Sequence, residues 1–402
     1  MSAANDPLAD APPPSPDALA HSQRLQALIA AEIEATDDGR LGFDRYMELA
    51  LYAPGLGYYS AGARKFGGAG DFVTAPEISP LFSRCLARQC ADILETLGGG
   101  DVLELGAGSG VMAADMLREL ATLDRLPARY LILELSGELR ERQQQTLAAQ
   151  VPELAERVQW LDRLPEQPLR GVILGNEVLD ALPVKRVMRS AHGWRELCAG
   201  LDGEQFMEVS REPDEALTQA LERLPGSLPE GYRTEINTGL APWLQTLAEM
   251  LGEGSMLWLD YGLPRAEYYH PQRLTGTLRC HYRHRAHNDP WRWPGLQDIT
   301  AWVDFTAVAE ALTDAGLGLD GYTTQAHFLL GGGLEALAGA ALSDPGAGES
   351  EAQVRNRLDV AAQIKRLTLP SEMGEAFKVI GFATDPALAW RGFGLRDMAA
   401  KL

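Results

Sequence analysis

Short apolar runs alternate with stretches of helical spacing through the middle of this chain. Val102, Leu103 and Leu105 form the first run, which reads as a buried strand of a parallel sheet. The stretch VMAADMLREL at 111–120 repeats apolar residues at helical spacing and predicts a helix. Further strands are predicted at 129–135 (RYLILEL), 157–161 (RVQWL) and 171–175 (GVILG), with a helix through Arg140 and Leu147 after the second strand. Core strands resume with SMLWL at 255–259; 322–325 reads as an edge strand and 377–382 as the last strand. Upstream, helices are predicted at 22–34 and 43–51. A third starts at Ser79-Pro80, an N-cap followed by a first-turn proline, and runs to about 97. Downstream, 303–315 and 351–367 read as helices, and the Gly/Ala-rich 338–350 as loosely helical or looped. Between the fourth strand and 255, residues 184–188, 194–198 and 205–209 read as short strands, and prolines at 213, 225 and 229 punctuate the remainder. This excursion is a small β-rich cap or a contact between copies in a homo-oligomer. The expected layout is a disordered tail at 1–20, a helical extension at 21–97, and an α/β core at 98–402 with an insertion at about 184–236.

Composition narrows the partners. The net charge of −20 repels phosphate backbones and argues against nucleic acid. It suits a basic substrate such as an arginine-bearing protein, or it serves solubility alone. Cys85, Cys90, Cys198 and Cys280 form no C-x-x-C pair and fit free thiols in a reducing compartment. The first 20 residues have neither the apolar core of a secretory signal nor the arginines of a transit peptide, so a cytoplasmic location is expected. No run of about 18 apolar residues predicts a membrane span.

The candidate chemistry begins at DVLELGAGSG, residues 101–110. Gly106, Gly108 and Gly110 sit where the first strand must turn into a helix, which is where backbone can approach a ligand closely. The helix N-terminus beyond supplies free N–H groups and partial positive charge. A dinucleotide turn would need glycine at the position of Val111, so G-x-G-x-x-G is not satisfied. With Glu104 inside the strand, E-x-G-x-G-x-G instead resembles motif I of class I methyltransferases, which use S-adenosylmethionine (SAM). The bland alternative is a glycine turn with no ligand. Glu134 ends the second strand, where an acid can accept hydrogen bonds from both ribose hydroxyls; alternatively it is a first-turn or capping charge of the next helix.

A wider resemblance extends along the chain. GDFVTAPEISPLF at 70–82 resembles the hallmark of the SAM methyltransferase family that includes bacterial MidA-like proteins and the mitochondrial assembly factor of respiratory complex I. YAPGLGYY at 52–59, GNEVLDALP at 175–183, DYG at 260–262, GTLR at 276–279 and PGLQDITAWVDF at 294–305 match as well. The resemblance covers roughly 42–330. It implies a class I SAM methyltransferase fold, Rossmann-like with a mixed sheet, and SAM as cofactor. For mitochondrial members it implies methylation of a protein arginine, with a respiratory-chain subunit as target. On this reading Thr74, Glu77, Glu104, Gly106, Gly108, Gly110, Glu134, Asp162 and Asn176 face the cofactor. Asp71 and Ser79 add polar groups to the same loop, and Asp162 is either an adenine contact or a surface acid.

In this fold the end of the fourth strand lies beside the transferable methyl, and here it carries Asn176, Glu177 and Asp180. An arginine acceptor stays protonated near neutral pH, so a carboxylate can fix its planar fork. Glu177 is the expected acceptor-orienting carboxylate and Asp180 its support, on one side of a helix if one starts there. Alternatively Glu177 contacts only the methionine part of SAM, or caps a helix. Asp260 is a second-rank substrate candidate. His281, His284 and His287 recur every three residues beside Cys280, but too closely to wrap a tetrahedral ion unaided, so no metal is expected. A loop over the substrate mouth is the preferred reading, with His284 at the position matching the family. An active protein arginine methyltransferase, a non-catalytic assembly factor with a SAM-shaped cleft, and a small-molecule methyltransferase all remain compatible with these residues.

Overall fold

The computed structural model describes residues 7–8, 11–60, 73–342, 350–386, 388 and 390–402. Asp71, at the start of the polar loop, lies outside them, as do 343–349 of the Gly/Ala-rich stretch and part of the expected tail. The chain forms two compact units. One comprises Met1–Phe72, Asp180–Ala241 and Leu263–Asp304; the other comprises Val73–Leu179, Pro242–Gly262 and Phe305–Leu402.

The second unit holds the sheet. Its strands are β1 (Asp101–Leu105), β2 (Tyr130–Leu133), β3 (Val158–Leu161), β4 (Leu169–Asn176), β5 (Leu251–Leu263), β6 (Gly318–Thr324) and β7 (Phe377–Ala383). They lie in the order β6-β7-β5-β4-β1-β2-β3. β3, β2, β1, β4 and β5 are mutually parallel, whereas β7 runs antiparallel to both β5 and β6. The sheet is therefore mixed, and β6 stands at its edge as the pattern predicts. β1 has every residue buried, as a parallel strand covered on both faces must. Strand order reverses between β1 and β4, and in open α/β sheets a ligand crevice forms at the carboxyl ends beside such a reversal.

Three helices position that edge: α1 (Pro80–Leu97), α2 (Val111–Thr122) and α3 (Gly137–Gln150). Ser79 caps α1 by accepting the Leu81 N–H at 3.3 Å, and Pro80 occupies its first position. α1 buries Phe82, Leu86 and Ile93 in one core with Val102, Leu117, Leu174 and Leu257. Each such side chain stabilises the fold by roughly 1.5–3 kcal/mol.

In the first unit, helices Pro16–Ala35 and Phe43–Tyr52 share a core of Leu25, Ile29, Phe43, Tyr46, Ala199 and Cys280. The first helix starts at Pro16 rather than at 22, because Ser15 accepts the Ala18 N–H at 3.2 Å and Pro16 needs no N–H partner. The excursion after β4 contributes strands Lys185–Ser190, Gly193–Asp202, Gln205–Arg211 and Arg233–Ile236 to one antiparallel sheet. A separate sheet pairs Arg279–Tyr282 with Arg285–His287 and Asp298–Thr300. All four cysteines are free and buried. Burial pushes the Cys85, Cys90 and Cys198 thiols up to about 12.

Candidate active site

The turn from β1 to α2 is made of glycines in left-handed backbone. Gly106, Gly108 and Gly110 have φ of 63°, 54° and 82°, a region that side chains with a Cβ rarely enter. Gly110 has a second reason: a Cβ there would sit 3.0 Å from the Gln143 Cα. Gly110 is also the N-cap of α2 and brings no capping side chain, so the first-turn N–H groups need another partner.

Gln143 ties this turn to Glu134. It is fully buried, and its Nε2 donates to the Gly108 carbonyl at 3.1 Å and to Glu134 Oε2 at 2.9 Å. Trp160 Nε1 donates to the Gln143 amide oxygen at 2.9 Å, which fixes the amide's orientation. The Ser136 N–H donates to Glu134 Oε1 at 2.9 Å. Ser136, not Glu134, caps α3 through the Leu139 N–H, so the capping duty leaves the acid available. Glu134 thus stands at the carboxyl end of β2 with a fixed rotamer. Sequence reasoning misses Gln143, yet a signal is there. Leu139, Gln143 and Leu147 are the buried residues of α3, four apart, and one of them is polar.

Glu77 joins the same region by accepting the Ser109 hydroxyl hydrogen. Thr74 is half-buried at the N-cap of the short helix Ala75–Ile78 and makes no side-chain cap bond. Asp162 is exposed just beyond β3. Glu104 lies in the core, 1% exposed, with Oε2 accepting the Tyr130 hydroxyl at 2.6 Å. Its Oε1 is buried with no hydrogen-bond partner among the described residues. Burial, with a smaller push from Glu134, raises this carboxyl to about 7 against the pull of the Tyr130 hydrogen bond.

The end of β4 is organised by side chains. Asn176 is buried and donates to Glu177 Oε1 at 3.3 Å. Asn176 Oδ1 has no hydrogen-bond partner among the described residues. Glu177 has φ of 54° and donates its N–H to the Leu259 carbonyl at 2.9 Å. Asp260 is fully buried; Oδ2 accepts the Leu179 N–H and Oδ1 the Tyr261 N–H, each at 2.9 Å. No helix begins here, so Glu177 and Asp180 do not share a helix face as that condition required. Asp180, buried at 5% exposure, belongs to the first unit, where its carbonyl accepts the Ala301 N–H at 3.0 Å. His284 is also in the first unit, exposed at the tip of the hairpin Arg279–His287. It and Arg283 have φ of 61° and 48°, the backbone of a two-residue hairpin turn without its usual glycine. Among the described residues no group of three His, Cys, Asp or Glu could hold a metal ion.

A left-handed glycine turn, an oriented acid after β2 and an uncapped helix N-terminus fit an adenosyl ligand. Residues 85–323 match the model of a family described as "Putative S-adenosyl-L-methionine-dependent methyltransferase". The chain belongs to that family. SAM is accordingly its methyl donor. A crystal structure of a superfamily member from Burkholderia thailandensis, bound to S-adenosyl-homocysteine, is 46% identical with a TM-score of 0.91, covering 97% of this chain and 100% of that one. The protein arginine methyltransferase NDUFAF7, mitochondrial, of Danio rerio is 29% identical over 90% of this chain and 87% of its own length. Its Drosophila melanogaster homologue is 28% identical over 94% and 90%. Both relatives are named mitochondrial, and this overturns the cytoplasmic location expected from the first 20 residues. A lack of arginines there was too weak a signal, because composition of a short segment does not specify a compartment. No described helix is long and apolar enough to cross a membrane.

Proposed function

We propose that this methyltransferase transfers the methyl group of SAM to an arginine side chain of a protein, with a respiratory-chain subunit as the expected target. The carboxylate at the carboxyl end of β4, Glu177 in left-handed backbone, is the observation that carries this reading. The names of the curated relatives support it.

When bound, SAM supplies a methyl already activated by its sulfonium, so the protein's task is orientation. The glycine turn and the first N–H groups of α2 hold the donor's backbone-facing side. Glu134 would take the ribose hydroxyls, Glu77 and Thr74 would line the approach, and Asp162 would meet the base. Glu104 acts from beneath, through the strand it fixes. Asn176 accepts a donor hydrogen at its buried Oδ1. Glu177 orients the guanidinium and stabilises its charge, and the proton given up by the methylated nitrogen passes to solvent. Asp180 supports it. Asp260 is a positioning residue that pins Leu179.

Mass spectrometry of proteins from cells with and without the gene tests this reading. An ω-N-methylarginine lost with the gene, and restored by purified enzyme with SAM, is expected. Loss of a methyl from lysine or from a small molecule instead would sink it.

A further inference from the structure

Helix α3 buries one column of side chains, Leu139, Gln143 and Leu147. Gln143 opens the run QQQ at 143–145; Gln144 and Gln145 are exposed, and Gln143 is fully buried. Its neighbours in the column show that leucine fits this face. A buried amide costs free energy unless its donors and its acceptor are met. At Gln143 both ends are engaged. Nε2 donates to the Gly108 carbonyl and to Glu134 Oε2, and the amide oxygen accepts from Trp160 Nε1. An indole N–H only donates, and a carbonyl and a carboxylate only accept. A reversed amide would therefore set like against like at all three contacts, so the orientation is decided by the partners.

The same residue lies under the glycine turn. A Cβ on Gly110 would meet the Gln143 Cα at 3.0 Å and its Cβ and Cγ at 3.3 Å. The main chain of Glu134 is held as well. Its N–H donates to the Leu161 carbonyl at 3.1 Å, and its carbonyl accepts from Arg140 Nη2 at 3.1 Å. Gly108, Glu134, Gln143 and Trp160 all belong to one compact unit. One amide thus joins the turn after β1, the acid after β2 and the strand β3. A ribose diol is best met by an acceptor already aimed at it, because a carboxylate free to rotate loses affinity to its own ordering.

We propose that Gln143, braced by Trp160, is a positioning residue for the methyl donor: it presets the Glu134 carboxylate for the ribose hydroxyls and so sets the preference for a cofactor that carries them. This rests on the ribose role of Glu134 and adds the residues that enforce it. An apolar side chain at 143 would fill the column and leave the carboxylate unaimed.

The test uses the full chain and two probes, S-adenosyl-homocysteine and its 2′,3′-dideoxyribose analogue, with affinities read by calorimetry. Damage to the glycine turn weakens both probes alike. Loss of the carboxylate's aim weakens only the probe with hydroxyls, so the ratio of the two affinities isolates the proposed role. The wild type should prefer the diol about 30-fold. Gln143→Met, of equal length and without the amide, should cut that ratio to about fivefold, and Gln143→Asn, one methylene short, should fall between. Thermal melts establish that each variant is folded; should Gln143→Met unfold, Gln143→Asn carries the test. In a Glu134→Gln background, Gln143→Met should move the ratio by less than about twofold, because the two residues act as one. A folded Gln143→Met with the wild-type ratio, or one that lowers the ratio equally once Glu134 is replaced, overturns the inference and leaves Glu134 in its role. A wild type that binds the two probes equally removes the ribose role itself, and the inference with it.

Discussion

The turns that leave β1 and β4 reach the same edge of the sheet and are built from opposite materials. After β1 the chain uses three glycines with positive φ and offers backbone N–H groups. After β4 it uses Asn176 and Glu177, the latter also at positive φ but with a full side chain, held by the Leu259 carbonyl. A glycine turn suits a ligand that never varies, because backbone groups are fixed by the fold itself. A carboxylate turn suits a reacting group, because a side chain can carry charge to it. Non-glycine residues in left-handed backbone are held there by their surroundings and cluster at functional sites.

Glu177→Gln breaks the comparison most severely on the β4 side. It removes charge with little change of shape, so methyl transfer should fall by about 100- to 1,000-fold. S-adenosyl-homocysteine affinity by calorimetry should stay unchanged; transfer at the wild-type rate would remove Glu177 from the mechanism.

Beneath the β1 turn, Glu104 makes folding pH-dependent. The folded chain holds its proton up to about pH 7, and the unfolded chain releases it near 4.5. The native state therefore binds more protons between those values, and stability falls as pH rises through that window. The span corresponds to roughly 3 kcal/mol, fully present below pH 4.5 and lost above 7. Denaturant melts at several pH values should show this slope in the wild type and lack it in Glu104→Gln.

On the β1 side, Gly110→Ala forces a Cβ toward Gln143 and strains the backbone at φ of 82°. It should weaken S-adenosyl-homocysteine by about 2 kcal/mol, some 30-fold. A variant that binds normally would show that the turn tolerates side chains. Glu134→Gln is the mildest change: it leaves an amide in place of an acceptor-only group and should weaken the same ligand by about 1 kcal/mol. An unchanged affinity would assign Glu134 to structure alone.

Much of the β1 side is legible in the chain, because its signals are local. A short apolar run, alternate glycines and a helical repeat succeed one another over residues 101–120. Ser79-Pro80 likewise announces α1 to the residue. The β4 side is legible only in part. Glu177 stands out by its place after a strand, but the helix that would have aligned it with Asp180 does not form, since Leu179 is instead tied to Asp260. Gln143 escapes notice although it binds both the glycine turn and Glu134, because one glutamine of the run QQQ at 143–145 looks like surface.

By itself the sequence determined the strands β1 to β4, the helices that follow β1 and β2, the glycine turn and the acid after β2. Each depends on residues close together in the chain and on sterics that act at one peptide or one helical turn. Only tertiary structure decided that β7 would enter antiparallel between β5 and β6, that Glu104 would be sealed beside Tyr130, and that Tyr52, Tyr59 and Asp298 would meet. Those outcomes depend on which distant surfaces exclude water together, and burial of that kind has no local spelling.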